Sequence, residues 1–332
     1  MRFKKHKKTY LILGLLLLLS ICLYFYVRII YKSQSVHLVV TQSAFIAIGK
    51  RTSINILGII ISATLITIVT QVFQTLTQNT IITPSLIGFD SIFIATQAVL
   101  ILFSKSNALF SIILSNTHLN FTLSTLIMIF VSVSMYRLIL KKNRNNIYLL
   151  LLFGITLSTL VERIANYVEV LLNPESFQQL KASTSVTLTN MNSNLVLLVA
   201  PVMVWIVYRL YKHRHELDVM LLNQDYATAL GVPYVKRMNQ YLMYISLSMA
   251  ITTALVGPLT FLGLISINIA KRITLDYRHG VIFVTSSLIA ILFLLLGQSF
   301  VILTGYATPV SVIINLFGGV YLIYLMLKEV KI

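Results

Sequence analysis

The sequence predicts an all-α polytopic membrane protein of about ten transmembrane helices that contain an inverted repeat. Of its 332 residues, 57% are hydrophobic and only 11% are charged, and the mean hydropathy is +0.87. These values are typical of polytopic membrane proteins and not of a soluble fold of this length. Apolar runs that could cross about 30 Å of hydrocarbon alternate along the chain with short basic clusters. We expect one transmembrane domain over residues 1–332.

The apolar runs define ten candidate membrane helices. The first, residues 10–27, follows a basic stretch, and its length together with the bulky Ile21 favours a membrane helix over a cleaved signal peptide. The others are residues 54–76, 86–103, 119–140, 147–172, 195–211, 241–256, 261–273, 281–303 and 310–327. The run 261–273 would span only about 20 Å as a helix, but the charge distribution requires it.

The distribution of Lys and Arg orients these helices. With the N-terminus inside, nineteen of the 26 basic residues fall in inner segments and six in outer segments. This excess follows the positive-inside rule and predicts that both termini are cytoplasmic. Because the basic residues form short clusters between apolar runs, the net charge of +17 indicates topology and not nucleic-acid binding.

A polar insert at about residues 212–236 interrupts the apolar pattern on the predicted inner side. Its charges and irregular backbone would lack partners in hydrocarbon, so it must lie in water. A long polar segment in an otherwise apolar chain is a plausible docking surface for a soluble partner.

Three glutamines share one face of the second predicted helix. Gln71, Gln74 and Gln78 lie at i, i+3 and i+7. Polar side chains at this spacing in lipid face either neighbouring helices or a water-filled route. The glutamines therefore either join helices or line the route of a polar cargo.

Ionisable residues interrupt the predicted helix at 147–172. Glu162 and Glu169 lie seven residues apart and share a face, and Arg163 follows Glu162. Such groups are costly in a membrane and usually pair or line a cavity. The alternatives are that Glu162 lines a route through the protein, or that this half of the helix meets the interface or a partner subunit.

Lys50 and Arg51 depart from the general charge bias, because the predicted topology places them outside. They either anchor the helix end by extending their charged groups to the interface, or form a basic patch for acidic residues of an external protein.

Other chemistry is missing from the sequence. Cys22 is the single cysteine, which excludes an intrachain disulfide and a cysteine-based metal site. No P-loop is present, so this chain does not hydrolyse ATP itself. The six histidines are scattered, and no nucleophile has an obvious base. We expect no catalytic residue, metal site or cofactor.

Two stretches carry a resemblance to a known family. The first is QTLTQNTIITPSLIG at residues 74–88, and the second combines ALGV at 229–232 with GPLTFLGL at 257–264. They resemble motifs of the FecCD-type permeases, the membrane subunits of ABC importers for iron-siderophores, haem and cobalamin. Gln74, Asn79 and Gly88 fall in the family's register, whereas Thr80 replaces its first proline. The resemblance covers residues 51–328 and is nearest to the iron-siderophore branch.

The resemblance implies a permease subunit in a bacterial cell membrane. Such a subunit moves an iron(III)-siderophore complex inward by alternating access, driven by separate ABC ATPase subunits. Further implied partners are an extracellular or periplasmic siderophore-binding protein, a second permease subunit that is identical or different, and membrane lipid. The helix-breaking Pro and Gly residues of the two motif stretches also suggest the inverted repeat. Pro84 and Gly88 lie at a predicted inner turn, and Pro258 and Gly263 lie at a predicted outer turn.

Candidate site residues follow from the resemblance and the polar pattern together. The expected ATPase-coupling residues are Leu217, Ala229, Leu230, Gly231 and Val232. The expected route residues are Gln71, Gln74, Gln78, Asn79 and Glu162. Arg51 matches an arginine that the family presents to its binding protein, and Lys50 could replace a companion arginine that is Ile48 here. Gly231 is expected to end a short helix with positive φ.

Two other classes of function stay open. A secondary transporter or intramembrane enzyme would work without an ATPase, but the first needs coupling-ion carboxylates near the midplane, where only Glu162 qualifies. An enzyme needs clustered His or Asp residues. Alternatively, an ABC permease of this kind could carry haem or cobalamin.

Overall fold

The computed structural model describes residues 6–36, 42–142, 147–306 and 308–329. Within these residues the regular structure consists of fourteen α-helices and one 3-10 helix, which confirms the all-α prediction. The helices are α1 Lys7–Val36, α2 Gln42–Thr77, the 3-10 helix Pro84–Ile87, α3 Phe89–Ser104, α4 Ala108–Ser115, α5 Thr117–Lys142, α6 Ile147–Leu171, α7 Pro174–Thr184, α8 Ser193–Lys212, α9 Arg214–Met220, α10 Gln224–Ala229, α11 Tyr234–Val256, α12 Leu262–Thr274, α13 His279–Leu303 and α14 Val310–Glu329.

Each of the ten predicted runs coincides with a helix, namely α1, α2, α3, α5, α6, α8, α11, α12, α13 and α14. Among the described residues, six helices are long and apolar enough to cross a membrane by themselves: α1, α2, α5, α6, α8 and α13. Two shorter apolar helices cover Phe89–Ser104 and Val310–Tyr324. The predicted short run at 261–273 is a helix of 13 residues, α12.

The structure differs from the prediction between the main helices. Helices α1 and α2 extend to Val36 and from Gln42, so Lys50 and Arg51 lie within α2 and not in a connecting segment. Helices α4 and α7 were not predicted, because α4 has eight residues and the sequence of α7 is mostly polar.

Asparagine side chains begin several helices. Asn107 accepts a hydrogen bond from the amide of Leu109, and Asn173 accepts one from the amide of Ser176. In α7 the cap is followed by Pro174 at the first helical position, where its missing N–H costs nothing. These caps satisfy amides that have no partner within the helix, and they place α4 and α7 directly after α3 and α6.

The chain forms two compact units. The first contains the described residues within Met1–Gln71, Val186–His215 and Phe261–Ile332, and in it α13 packs against α1, α12 and α14. Its core includes Leu13 of α1, Ile267 of α12 and Ile282 of α13, all of which are buried. Arg28 Nη2 and Asn55 Nδ2 both donate to the carbonyl of Thr189, at 2.7 and 2.6 Å, which fixes the segment before α8 to α1 and α2.

The second unit contains the described residues within Val72–Ser185 and Glu216–Thr260. Helix α3 packs against α5, α6 and α7, and α11 packs against α5. The buried amide of Gln97 donates to Asn120 Oδ1 at 2.7 Å and to Ser124 Oγ at 2.9 Å. Because a buried amide without partners would be destabilising, this network specifies how α3 meets α5.

Candidate functional site

The polar insert folds into two short helices, α9 and α10, that lead into α11. In α9, Leu217 and Met220 are completely buried. Arg237 of α11 forms an ion pair with Glu216 of α9, in which Nη2 donates to Oε1 at 3.0 Å. The same guanidinium donates to Gln240 Oε1 at 3.0 Å. Buried apolar side chains and one ion pair therefore hold α9 against α11.

The predicted positive φ of Gly231 is confirmed, at +84°. The amide of Gly231 donates to the carbonyl of Thr228, and the amide of Val232 donates to that of Ala227. This pair of bonds is the Schellman motif that ends a helix with a left-handed residue. Val232 and Ala227, the two positions whose apolar contact usually accompanies the motif, are both buried.

Several apolar side chains of the insert are exposed. Leu222, Tyr226 and Leu230 are 56%, 68% and 64% exposed. Exposed apolar side chains on a polar segment suggest an interaction surface. Of the residues expected to couple to an ATPase, Ala229, Leu230 and Gly231 are exposed, whereas Leu217 and Val232 are buried and support the insert from within. The sequence prediction did not include Leu222 or Tyr226.

The three glutamines differ in their environments. Gln71 and Gln74 are buried, and Gln74 Nε2 donates to the carbonyl of Thr80 at 2.7 Å. Gln78 is exposed, and its Nε2 donates to the carbonyls of Thr75 and Met220, at 3.0 and 2.9 Å. The bond of Gln78 to Met220 connects two helix ends, as the first of the two readings expects, whereas the bond of Gln74 stays within the turn that follows α2. Their assignment to a cargo route stays a prediction.

The segment after α2 is held by local bonds. Asn79 Oδ1 accepts from the amide of Ile81 at 2.9 Å. The 3-10 helix then leads to Gly88, whose φ is +106° and which contacts α6 closely: a Cβ at Gly88 would lie 3.1 Å from Ser158 Cβ. A Cβ at Gly154 of α6 would in turn lie 3.0 Å from Ile87 Cγ2. The end of the 3-10 helix and α6 therefore meet backbone to backbone at this point.

Asp90 is a polar residue that the sequence analysis did not single out. It lies in the first turn of α3, where the helix dipole favours a carboxylate. The hydroxyl of Thr260 donates to Asp90 Oδ2 at 3.0 Å. Because Asp90 follows the stretch 74–88 and Thr260 belongs to the stretch 257–264, this bond connects the two motif regions. An aspartate two residues after the glycine turn and before an apolar run was the available signal.

Helix α6 carries exposed polar side chains along one side. They are Thr156, Thr159, Glu162, Arg163 and Asn166, which we call the polar stripe. At 3.6 residues per turn these five positions occupy about a third of the helix circumference. Polar groups on a membrane helix face a water-filled space or other protein, so the stripe is consistent with Glu162 lining a route.

Glu169 lies in a different environment from Glu162. Both of its carboxylate oxygens accept from Lys181 Nζ at 3.0 Å, which ties the end of α6 to α7. Lys50 and Arg51 are exposed on α2, so both readings of this pair remain compatible with the structure.

The apolar helices define a polytopic membrane protein, and the polar stripe and the helical insert are features expected of the transport class. Within that class the chain belongs to the FecCD transport family, whose model matches residues 10–328. This confirms the resemblance inferred from the two motif stretches.

Several known proteins are similar to the chain. The petrobactin import system permease protein YclO of Bacillus subtilis (strain 168) is 34% identical over 280 residues, covering 83% of this chain and 87% of that protein. The petrobactin import system permease protein FatC of Bacillus anthracis is 30% identical over 331 residues, covering 99% and 91%. A solved inward-facing conformation of a metal-chelate type ABC transporter matches with a TM-score of 0.78 over 96% of this chain and 99% of that chain. At 18% identity this match shows the fold.

Proposed function

We propose that this chain is the membrane permease subunit of an ABC importer that moves an iron(III)-siderophore complex into the cytoplasm. The observation that carries the proposal is the polar insert, which presents exposed apolar side chains in a chain of the FecCD transport family. The relatives named as petrobactin import permeases support a siderophore cargo and make ferric petrobactin the first candidate. Residues 1–332 act in this proposal as one permease domain.

An ATPase subunit would bind the insert through Leu222, Tyr226 and Leu230, together with Ala229 and Gly231. Burying such apolar side chains favours association by about 25 cal/mol per Å² of surface. The polar stripe of α6 would face the cargo, because a hydrophilic chelate needs polar groups along its way through hydrocarbon. ATP-driven movement of the insert would switch the route between outward and inward access.

The remaining partners follow from this role. Both termini would be cytoplasmic in a bacterial cell membrane, as the distribution of Lys and Arg indicates. A siderophore-binding protein would deliver the loaded chelate from outside, and a second permease subunit would complete the route. The family and the permease relatives do not favour a secondary transporter or an intramembrane enzyme.

Uptake of iron chelates by the reconstituted importer tests the proposal. The permease would be reconstituted in liposomes together with its ATPase and partner permease, and the liposomes would be loaded with ATP. The binding protein would then be added with a cargo that carries radioactive iron, or radioactive cobalt in the case of cobalamin. Ferric petrobactin, a ferric hydroxamate, ferric enterobactin, haem and cobalamin would be compared. We expect ATP-dependent accumulation of a ferric siderophore, with petrobactin fastest. Uptake of haem or cobalamin alone would assign the chain to another branch of the family. Uptake without ATP would contradict the ABC mechanism.

Reversing the charges of Lys50 and Arg51 tests the outer docking patch. Exposed ion pairs are worth up to about 1 kcal/mol each and act mainly on orientation and association rate. Lys50→Glu with Arg51→Glu should therefore weaken binding of the loaded binding protein, and more at low than at high ionic strength. Affinity would be measured across a salt series, with Lys105→Glu as the control at another exposed lysine. Unchanged affinity at every salt concentration would leave the pair as helix-end anchors.

A further inference from the structure

Helix α9 is held near its beginning by a polar contact to α11 and at its end by a polar contact to the residue that directly follows α2. Near its beginning, Glu216 pairs with Arg237 of α11. At its last residue, the carbonyl of Met220 accepts a hydrogen bond of 2.9 Å from Gln78, which directly follows α2. The second contact joins elements that are 142 residues apart in the chain, and sequence periodicity could not reveal it.

The amide of Gln78 is shaped to join two helix ends. With a φ of +50°, the residue turns the chain out of α2, and its side chain folds back. One Nε2 hydrogen is donated to Thr75 in the last turn of α2, and the other to Met220 at the end of α9. Carbonyls in a last helical turn lack their usual donor from the next turn, and here each also accepts a backbone amide at 3.4 Å, Gln78 N at Thr75 and Asn223 N at Met220. A single side-chain amide thus supplies donors to both helix ends.

The contacts continue from Gln78 towards α6. Gln74 and Asn79 fix the turn that follows α2, through the bonds to Thr80 and Ile81. The chain then enters the 3-10 helix, whose Ile87 lies against Gly154 of α6. A continuous series of contacts within the second unit therefore leads from the end of α9 to the helix that carries the polar stripe.

We propose that Gln78 is a positioning residue that transmits movement of α9 to the turn after α2 and from there to α6. The inference rests on the proposed function, because it assumes that an ATPase moves the insert. Gln78 is exposed and fills no core, so its removal leaves the packing of both helices intact. Gln78 is not part of the proposed docking surface, which Leu222, Tyr226 and Leu230 form. Loss of Gln78 should therefore separate ATP hydrolysis from transport while docking persists.

The test compares three substitutions that differ in their hydrogen-bond donors. Gln78→Met keeps the length and removes the donors, and Gln78→Glu keeps the shape but presents a carboxylate to two carbonyl oxygens. Gln78→Arg retains several donors. The whole importer in liposomes would be supplied with ATP and ferric petrobactin. The readouts are ATP hydrolysed per iron imported and the affinity of the ATPase for the permease.

We expect Gln78→Met and Gln78→Glu to raise the ATP consumed per imported iron about tenfold, a typical size for coupling between sites. ATPase affinity should not change, and Gln78→Arg should stay close to the wild-type ratio. Gln179→Met, at an exposed glutamine of α7, is the matched control and should behave as wild type.

Two results would overturn the inference. An unchanged ratio in all three variants would show that the bond to Met220 carries no coupling. A parallel loss of ATPase affinity and transport would show that Gln78 only shapes the docking surface. If Gln78→Met failed to assemble, the inference would still require Gln78→Glu to consume more ATP per imported iron than Gln78→Arg. Failure of the wild-type complex to bind an ATPase or to import any chelate would instead refute the proposed function.

Discussion

Replacing Gly231 with Val is expected to reduce ATP-driven import by at least about tenfold while the permease remains in the membrane. The residue has a φ of +84° within the motif that ends α10. A β-branched side chain is a strong outlier in this region, and such strain costs about 1–3 kcal/mol. The backbone would relax by opening the bonds to Thr228 and Ala227, which would move Leu230 and disturb the proposed ATPase surface. Import and ATPase affinity in proteoliposomes are the measurements.

A graded series separates strain from crowding at this position. A Cβ added at Gly231 would have no neighbouring atom within 4 Å, so space does not limit the substitution. Asn tolerates the left-handed region better than Ala, and Ala better than Val. Import should therefore decline in the order Gly, Asn, Ala, Val. Full activity of Gly231→Val with unchanged ATPase affinity would show that this turn takes no part in docking.

Gly88→Ala should strongly destabilise the second unit. Its φ of +106° disfavours any side chain, and the new Cβ would lie 3.2 Å from the Cα of Ser158. Backbone cannot move aside as a flexible side chain can, and overpacking of this kind costs about 1–3 kcal/mol. The left-handed backbone adds about 1 kcal/mol or more. We expect a clear fall in the thermal midpoint of the detergent-purified permease, together with low yield.

Gly49→Ala is the matched control for Gly88→Ala. Gly49 lies within α2, and a Cβ there would have no neighbour within 4 Å. Alanine in a helix is favoured over glycine by up to about 1 kcal/mol, so this variant should melt at or slightly above the wild-type midpoint. Equal midpoints for the two variants would contradict the close contact between Gly88 and α6.

Much of the fold was predictable because membrane helices depend on one strong signal. A run of apolar residues long enough to span has few alternatives in lipid, since the backbone must bond within itself. All ten predicted runs are helical for this reason. The shorter helices were not predicted, because their sequence signals are weaker. Helix α4 is too short to be recognised as a membrane run, and α7 begins with an asparagine cap and a proline that resemble a turn.

The candidate site was less predictable, because it depends on contacts between distant segments. Helices α9 and α10 have seven and six residues, fewer than two turns each, so periodicity could not show that Leu217 is buried and Leu222 exposed. The partner of Glu169 is Lys181 on another helix, and no pattern within one helix indicates it. The motif resemblance did locate Gly231, because the need for a positive φ at a helix end is local and is met by a single glycine.

The packing of α1 on α13 has a consequence for biosynthesis. Helix α1 leaves the ribosome early, whereas its main neighbour, His279–Leu303, is made near the end of translation. The first helix must therefore enter the lipid on its own hydrophobicity, which its apolar run allows. The second unit can assemble earlier, because its chain is complete at residue 260. An arrested chain that lacks α13 should accordingly hold a folded second unit beside a first helix that is inserted but still without its neighbour.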